Sequence, residues 1–219
     1  MLVGLIGSLI AVSQFPAVEG LGTRVRLPVF HGAMTWASLA GFVLLLLAAL
    51  WYLASSGKRA WQWETGFRIS VVIVWIVSSI LGYYAAASTW DFTGSTIAPM
   101  RAMTQDPRLM TQLVVSCAGL ITLLLPLVFE SRRVRAIADI VFVAGSLGML
   151  VWAMNAGRNL HPDSPVMNSD EAVIKVTFFV IVFFHIVLMK GLAWFFATYQ
   201  STKDAVEQPE SSEVPAKAE

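Results

Sequence analysis

The chain has 219 residues, 57% of them hydrophobic and only 13% charged, and its mean hydropathy is +0.69. Soluble domains carry about 25% charged residues, so this composition excludes an ordinary soluble domain and a disordered chain. The 15 basic and 14 acidic residues leave a net charge of +1, which excludes a basic surface for nucleic acid. A polytopic membrane protein remains, because at about 20 apolar residues per span the length accommodates roughly five to seven helices in the lipid bilayer.

The apolar runs predict six transmembrane helices. In chain order they are Met1 to Phe15, Pro28 to Ala54, Thr65 to Ser88, Arg108 to Phe129, Ala136 to Gly157 and Ala172 to Tyr199. No basic residue precedes the first run, so a helix is favoured there over a cleaved signal peptide. Residues 1–199 therefore form one predicted all-α membrane domain, and residues 200–219, rich in Ser, Glu, Pro and Ala, form a predicted disordered tail.

Basic residues in two short turns predict the orientation of the bundle. One turn follows the second predicted helix and the other follows the fourth, and together they contain Lys58, Arg59, Arg132, Arg133 and Arg135. Cytoplasmic loops carry an excess of Lys and Arg, so both turns are expected on the cytoplasmic side. Six helices then place both termini and the tail on that side as well, and they place His31 and His161 at the external face.

Polar residues at the external face indicate a site for haem. His31 lies one turn inside the second predicted helix, and His161 follows the fifth. Two imidazoles from different helices can approach an iron from opposite sides while a porphyrin fills the four other positions. A bare metal ion would need three or more protein ligands. The link between the third and fourth predicted helices lies at the same face and contributes Trp90, Asp91, Asp106 and Arg108.

Arginines at this face could bind haem propionates through bidentate hydrogen bonds. They are Arg24, Arg26, Arg101, Arg108 and Arg158. The residues alone leave other interpretations open. These arginines could bind lipid phosphates, Trp90 could be one more interfacial aromatic residue, and both histidines could be solvated residues at the membrane surface.

His185 lies about 13 residues into the sixth predicted helix, roughly 20 Å below its external end. An ionisable residue at that depth is a candidate functional residue by default. A neutral imidazole that hydrogen-bonds a neighbouring helix is the other interpretation. A second haem at this depth would lack a histidine partner, because the chain has only three histidines.

The rest of the sequence indicates no catalytic or pumping chemistry. It has no Gly-rich phosphate loop and no GxSxG or HExxH motif. No row of buried carboxylates suggests an ion pump, and Asp139 is expected to pair with one of the three arginines in the turn beside it. The single Cys117 lies in an apolar run, which excludes a disulfide framework, a CxxC redox pair and a thiolate zinc site.

Three segments around these features carry a family resemblance. They are "LPVFHGAMTWASLAGFVLLLLAAL", "DPRLMTQLV" and "NLHPDSPVMNSDEAV". In this order they resemble the haem-handling family of cytochrome c maturation (CcmC/CcsA type). The first is similar to the family helix that opens with an external histidine, the second to the end of its tryptophan-rich loop, and the third to the segment around its second external histidine. The match covers Leu21 to Ala197, most of the chain.

The resemblance implies that His31 and His161 are the axial ligands of a non-covalent b-type haem. Asp106 and Arg108 would belong to the external loop that holds the haem and contacts the partner. In the family the haem passes to a haem chaperone or to apocytochrome c, so no covalent chemistry by this chain is required. The sequence departs from the family's W-G-x-x-W-x-W-D loop, because only Trp90-Asp91 remains of that pattern.

Three functional hypotheses follow. The first is a protein of a bacterial, archaeal or organellar inner membrane that holds haem at the external face and presents it for cytochrome c maturation. The second is a b-type cytochrome that carries electrons among other membrane subunits of an oxidoreductase complex. The third is a structural membrane subunit without a cofactor, in which all three histidines are incidental.

Overall fold

The computed structural model describes residues 1–90, 98–156 and 166–206, without the side chains of residues 203–206. The regular elements of these ranges are helices. They are α1 (Leu2–Ser13), a short 3-10 helix (Thr23–Val25), α2 (Arg26–Ser55), α3 (Lys58–Thr89), α4 (Pro99–Thr104), α5 (Pro107–Val128), α6 (Arg132–Asn155) and α7 (Ala172–Val206). The predicted all-α class is thereby confirmed.

Five of the described helices, α2, α3, α5, α6 and α7, are long and apolar enough to cross a membrane. A crossing needs about 20 residues, because the hydrocarbon core is about 30 Å thick. The 12 residues of α1 reach only about 18 Å at 1.5 Å per residue. The first predicted helix is therefore shorter than the apolar run that predicts it.

Small residues bring α1 against α7. A Cβ at Gly4 would lie 2.7 Å from the carbonyl oxygen of Phe184, and a Cβ at Gly7 would collide with the ring of the same residue. Close backbone approach of this kind is how small residues stabilise helix pairs in lipid, where the hydrophobic effect contributes little. The packing makes α1 part of the bundle.

Short turns fold the long helices antiparallel and define two ends of the bundle. Ser56, with a φ of 52°, and Gly57 connect α2 to α3, and residues 129–131 connect α5 to α6. The end of the bundle that contains these two turns is called the basic end, and it carries Lys58, Arg59, Arg132, Arg133 and Arg135. The opposite end, where α2 and α5 begin and α3 ends, is called the histidine end because it contains His31.

An aromatic core between the two ends fixes the relative positions of α2, α3 and α6. The ring centroid of Phe42 lies 5.3 Å from that of Trp75 and 5.6 Å from that of Phe142. Gly41 lets α2 approach α7, since a Cβ there would lie 2.5 Å from the sulfur of Met189. Polar side chains at each end are therefore held by a closely packed middle section.

Two helix boundaries differ from the predicted ones by seven residues, and α6 begins at Arg132, four residues before the predicted Ala136. α3 begins at Lys58 rather than Thr65, because Ala60 and Trp61 are buried against Tyr52 of α2 and this packing outweighs the polar character of the segment. The difference places Glu64 inside the bundle. α7 continues to Val206, past the predicted end at 199, and residues 207–219 of the predicted tail lie outside the described residues.

Candidate functional site

His31 lies near the start of α2, and a backbone carbonyl of α3 holds its ring. The Nδ1 atom is 2.8 Å from the carbonyl oxygen of Ser78 and 3.1 Å from the Oγ atom of the same residue. Because a carbonyl oxygen can only accept, Nδ1 carries the proton and donates it, and in the uncharged form of the ring Nε2 carries the lone pair. Metal-ligating histidines are held in the same way, with one ring nitrogen donating to a carbonyl and the other directed at the metal.

Gly82 of α3 provides the space that the His31 ring occupies. A Cβ at this position would lie 2.5 Å from Cε1 of the ring and 2.8 Å from each ring nitrogen. The hydroxyls of Ser78 and Thr35 lie 2.9 Å apart, and each donates to the His31 carbonyl at 3.1 Å. The ring orientation is thus set by two packed helices rather than by a loop.

Gln112 of α5 contacts the other ring nitrogen. Its side-chain nitrogen lies 3.3 Å from Nε2 of His31, where an amide N–H can donate to the imidazole lone pair. The Oε1 atom of Gln112 is buried and has no hydrogen-bond partner among the described residues. Sequence reasoning missed both Ser78 and Gln112. The available signal was the one amide side chain in α5.

Asp106 caps the helix that carries Gln112. Its carboxylate accepts hydrogen bonds from the backbone N–H groups of Arg108 at 2.9 Å and Leu109 at 3.3 Å, and the residue is 1% exposed. An aspartate at this position satisfies N–H groups that have no partner within the helix. The structure therefore gives Asp106 a capping contact at the start of α5.

Two further predicted residues lie at the histidine end. Trp90 terminates α3, is half-buried, and donates its backbone N–H to the carbonyl of Ala86 at 3.0 Å. The Nε atom of Arg108 is buried and has no hydrogen-bond partner in the described part of the chain. Together with His31 and Asp106, these residues derive from α2, α3 and α5 and share one end of the bundle.

The remaining predicted external residues, Asp91, Arg158 and His161, lie outside the described residues. Within residues 1–90, 98–156 and 166–206, no group of three or more His, Cys, Asp or Glu side chains is placed to hold a metal ion. Among the described residues of the histidine end, His31 is the one histidine that could bind an iron.

His185 is fully buried in α7, and its hydrogen bond is made within its own helix. The Nδ1 atom lies 2.9 Å from the carbonyl oxygen of Ile181, one turn earlier. The expected hydrogen bond to a neighbouring helix is therefore replaced by a local one. The ring of Phe30 meets the imidazole edge to face at 4.7 Å, and Nε2 has no hydrogen-bond partner among the described residues.

Three charged side chains are buried between α3 and α6 near the basic end, and sequence reasoning missed the cluster. The Nη1 atom of Arg68 lies 3.7 Å from Oε1 of Glu64 and 3.5 Å from Oδ2 of Asp139, and each residue is at most 2% exposed. The hydroxyl of Thr65 accepts from Arg68 at 3.4 Å and donates to Glu64 at 3.2 Å. Burial makes these charges dependent on one another, since each would be costly alone.

Asp139 forms an ion pair with Arg68 and not, as expected, with an arginine of the adjacent turn. Asp139 lies about two turns into α6 and faces Arg68 across the bundle, whereas Arg132 and Arg135 lie over the indole of Trp61. Their guanidinium carbons are 5.1 and 4.6 Å from its ring centroid, and that of Arg68 is 5.7 Å away. Cation–π contacts at such distances are attractive. The missed signal was the Glu64 to Arg68 spacing of four residues.

The fold and composition define the chain as an all-α protein with helices fit to cross a membrane. Its histidine end presents an oriented imidazole, and its basic end buries a charge cluster. Comparison with protein-family models and with curated proteins finds no match to this chain.

Proposed function

We propose that this chain is an integral membrane protein that holds b-type haem at the external face and presents it for cytochrome c maturation. The observation that supports this function is the geometry of His31. Its Nδ1 atom donates to the Ser78 carbonyl at 2.8 Å, and its ring occupies the space left by Gly82. An imidazole held in this way has the tautomer and the rigidity of an axial ligand.

The described residues fit one side of a haem site. His31 would supply one axial nitrogen, and Arg108, whose buried Nε atom has no described hydrogen-bond partner, would bind a propionate. Trp90 would contact the porphyrin, and Asp106 would hold the start of α5 beside it. The proposal adds His161 as the second axial ligand and Asp91 and Arg158 as further haem-binding residues. Bound haem would bring four equatorial nitrogens of its own, so only axial ligands are required from the chain.

Gln112 has a defined part in this proposal. Its amide donates to Nε2 of His31, which is the nitrogen that would bind iron. Haem binding would therefore break this contact, and haem release would restore it. The Gln112 amide would compete with the iron for the lone pair on Nε2. Such competition favours reversible binding of haem over permanent binding.

We also propose a six-span topology in which both termini face the cytoplasm and α1, although shorter than the hydrocarbon core, is the first crossing. A short apolar helix is accommodated where the bilayer thins around it. Five Lys and Arg residues at the starts of α3 and α6, directly after the two turns of the basic end, support this orientation. The packing of Gly4 and Gly7 against α7 supports the assignment of α1 to the transmembrane bundle.

Absorption spectroscopy tests the proposed haem site. The protein is expressed with excess haem supply, purified in mild detergent and mixed with a haem-free acceptor protein. We expect a low-spin haem band at less than one haem per chain, which declines as the acceptor gains haem. His31→Ala should lose most of the band, and His185→Ala, the same change at the buried histidine, should retain it. A wild-type protein without haem, or loss of the band in His185→Ala alone, contradicts the proposal.

A b-type cytochrome subunit is the second candidate, and His185 favours it. Its Nε2 atom is buried without a described hydrogen-bond partner, which suits a ligand held permanently inside the bundle. A cytochrome would hold one haem per chain, retain it against the acceptor and show a reversible redox couple. The same preparations therefore separate the two functions, and absence of haem from all of them would favour a structural subunit.

A further inference from the structure

A cavity at the basic end combines positive charge with aromatic walls. It has a volume of about 520 Å³ and lies between the start of α3 and the last turns of α7. Its walls include Lys58, Arg59, Gln62, Trp63, Trp194 and Ser201. It is separate from the histidine end, and neither the haem proposal nor the buried charge cluster uses these residues.

The charges around the cavity favour an anion. Lys58 and Arg59 are the first two residues of α3, and both are exposed. The helix start has no side-chain cap, so N–H groups of its first turn remain available, and the helix dipole adds to the positive potential there. Among the described residues that line the cavity, none is acidic.

The apolar wall favours an amphiphile over a small soluble anion. The side chain of Trp63 contacts Phe67, with ring centroids 5.6 Å apart, and Trp194 is 61% exposed on α7. Tryptophan beside basic residues at a helix end is typical of the zone where lipid headgroups meet acyl chains. A ligand in this cavity would contact cations at one side and indole rings at the other.

The two helices that form the cavity are held rigidly. Gly66 of α3 lies so close to the carbonyl of Ala193 in α7 that any Cβ there would collide with it. The absence of a side chain at Gly66 therefore fixes the distance between α3 and α7, one to two turns from the cavity. The site is consequently preformed by helix packing, as ligand sites usually are.

We propose that this cavity binds the headgroup of an anionic phospholipid in the membrane leaflet at the basic end. Lys58 and Arg59 bind the phosphate oxygens, and Gln62 and Ser201 supply neutral hydrogen-bond donors. Trp63 and Trp194 contact the glycerol and the upper acyl chains. Basic pockets between transmembrane helices are suited to anionic headgroups, because the charge interaction is strengthened next to lipid.

Native mass spectrometry of the detergent-solubilised full chain tests the proposal. Phosphatidylglycerol and phosphatidylcholine with the same acyl chains are titrated separately, and inorganic phosphate is added as a competitor. We expect phosphatidylglycerol to bind at least about tenfold more tightly than phosphatidylcholine, with millimolar phosphate unable to displace it. Equal binding of the two lipids overturns a headgroup site, and displacement by phosphate overturns a lipid as the occupant.

Paired variants distinguish the cavity from surface charge in general. Arg59→Gln should lower the affinity for phosphatidylglycerol about fivefold, the contribution of one basic residue next to an anionic headgroup. Arg133→Gln removes the same charge from an exposed position in the first turn of α6, outside the cavity, and should leave the affinity unchanged. Equal losses in both variants would assign the binding to non-specific charge and overturn the proposal.

Discussion

The two ends of the bundle hold polar side chains in low-dielectric surroundings by different means. At the histidine end, the His31 ring is held by hydrogen bonds of 2.8 to 3.3 Å with residues of α3 and α5. Near the basic end, Arg68 lies between two carboxylates at 3.5 and 3.7 Å, and further guanidinium groups lie over Trp61.

This difference indicates different tasks. Breaking one hydrogen bond of a neutral imidazole costs about 1 kcal/mol, so a ligand can replace the contact. Removing one member of a buried charge cluster leaves an uncompensated ion and costs several times more. The histidine end is therefore suited to exchange of partners, and the charge cluster is suited to fixing α3 against α6.

The largest expected effect is the removal of Arg68. Arg68→Met leaves Glu64 and Asp139 buried without their cation, and we expect the free energy of unfolding to fall by about 3–5 kcal/mol. Denaturant-induced unfolding in mixed micelles, followed by tryptophan fluorescence, measures the change.

A neutralised cluster is the matched control for this variant. The triple variant Arg68→Met, Glu64→Gln and Asp139→Asn replaces all three ionisable side chains, and we expect it to recover much of the lost stability. If Arg68→Met is as stable as the wild type, the cluster does not hold α3 to α6, and the contrast between the two ends fails.

The next effect concerns the space that Gly82 leaves for His31. Gly82→Ala adds a Cβ 2.5 Å from Cε1 of the ring, so the imidazole must move away from the Ser78 carbonyl. Loss of such an orienting contact lowers metal affinity about 10–100-fold. Haem titration with absorption detection should show a loss of this size.

Gly145→Ala is the control, because nothing lies within 4 Å of a Cβ at that position in α6. It makes the same chemical change in the middle of a helix, and we expect haem affinity to stay at the wild-type value. Equal haem affinity in the two variants would show that the His31 ring does not depend on Gly82, and it would remove the main support for the haem site.

Much of the fold could be predicted, because long apolar runs leave few alternatives in a membrane. The second predicted helix, Pro28 to Ala54, agrees within two residues with α2 (Arg26–Ser55), and the fourth, Arg108 to Phe129, agrees within one with α5 (Pro107–Val128). The predicted start of α3 is wrong, because polar residues before Thr65 belong to the helix. Hydropathy predicts a loop for the first two turns of α3, because it does not report the burial of Trp61 against α2, which is a tertiary effect.

The candidate site was predictable only in part, for a related reason. His31 could be selected because histidine is rare in this chain and chemically distinctive. Ser78 and Gln112 could not, since their role depends on how α3 and α5 are rotated towards α2. Glu64 and Arg68 were detectable as a pair four residues apart on one helix face. Their third member, Asp139, required knowledge of which helices pack together.

The smallest expected effect separates two roles of Asp106. Asp106→Ala removes the acceptor for two backbone N–H groups of α5, and loss of an N-cap of this kind costs about 1 kcal/mol of stability. Asp106→Asn retains a carbonyl oxygen that can cap the helix but lacks the negative charge, so its stability should stay close to that of the wild type.

Haem transfer to the acceptor protein then decides between capping and partner recognition. If Asp106 acts only as a cap that positions Gln112 beside His31, Asp106→Asn should transfer haem at the wild-type rate. A slower transfer by this stable variant would show that the charge itself takes part in the hand-over. In that case a charged side chain would also take part in the function of the histidine end. The contrast between the two ends would then apply only to how each end holds its buried side chains.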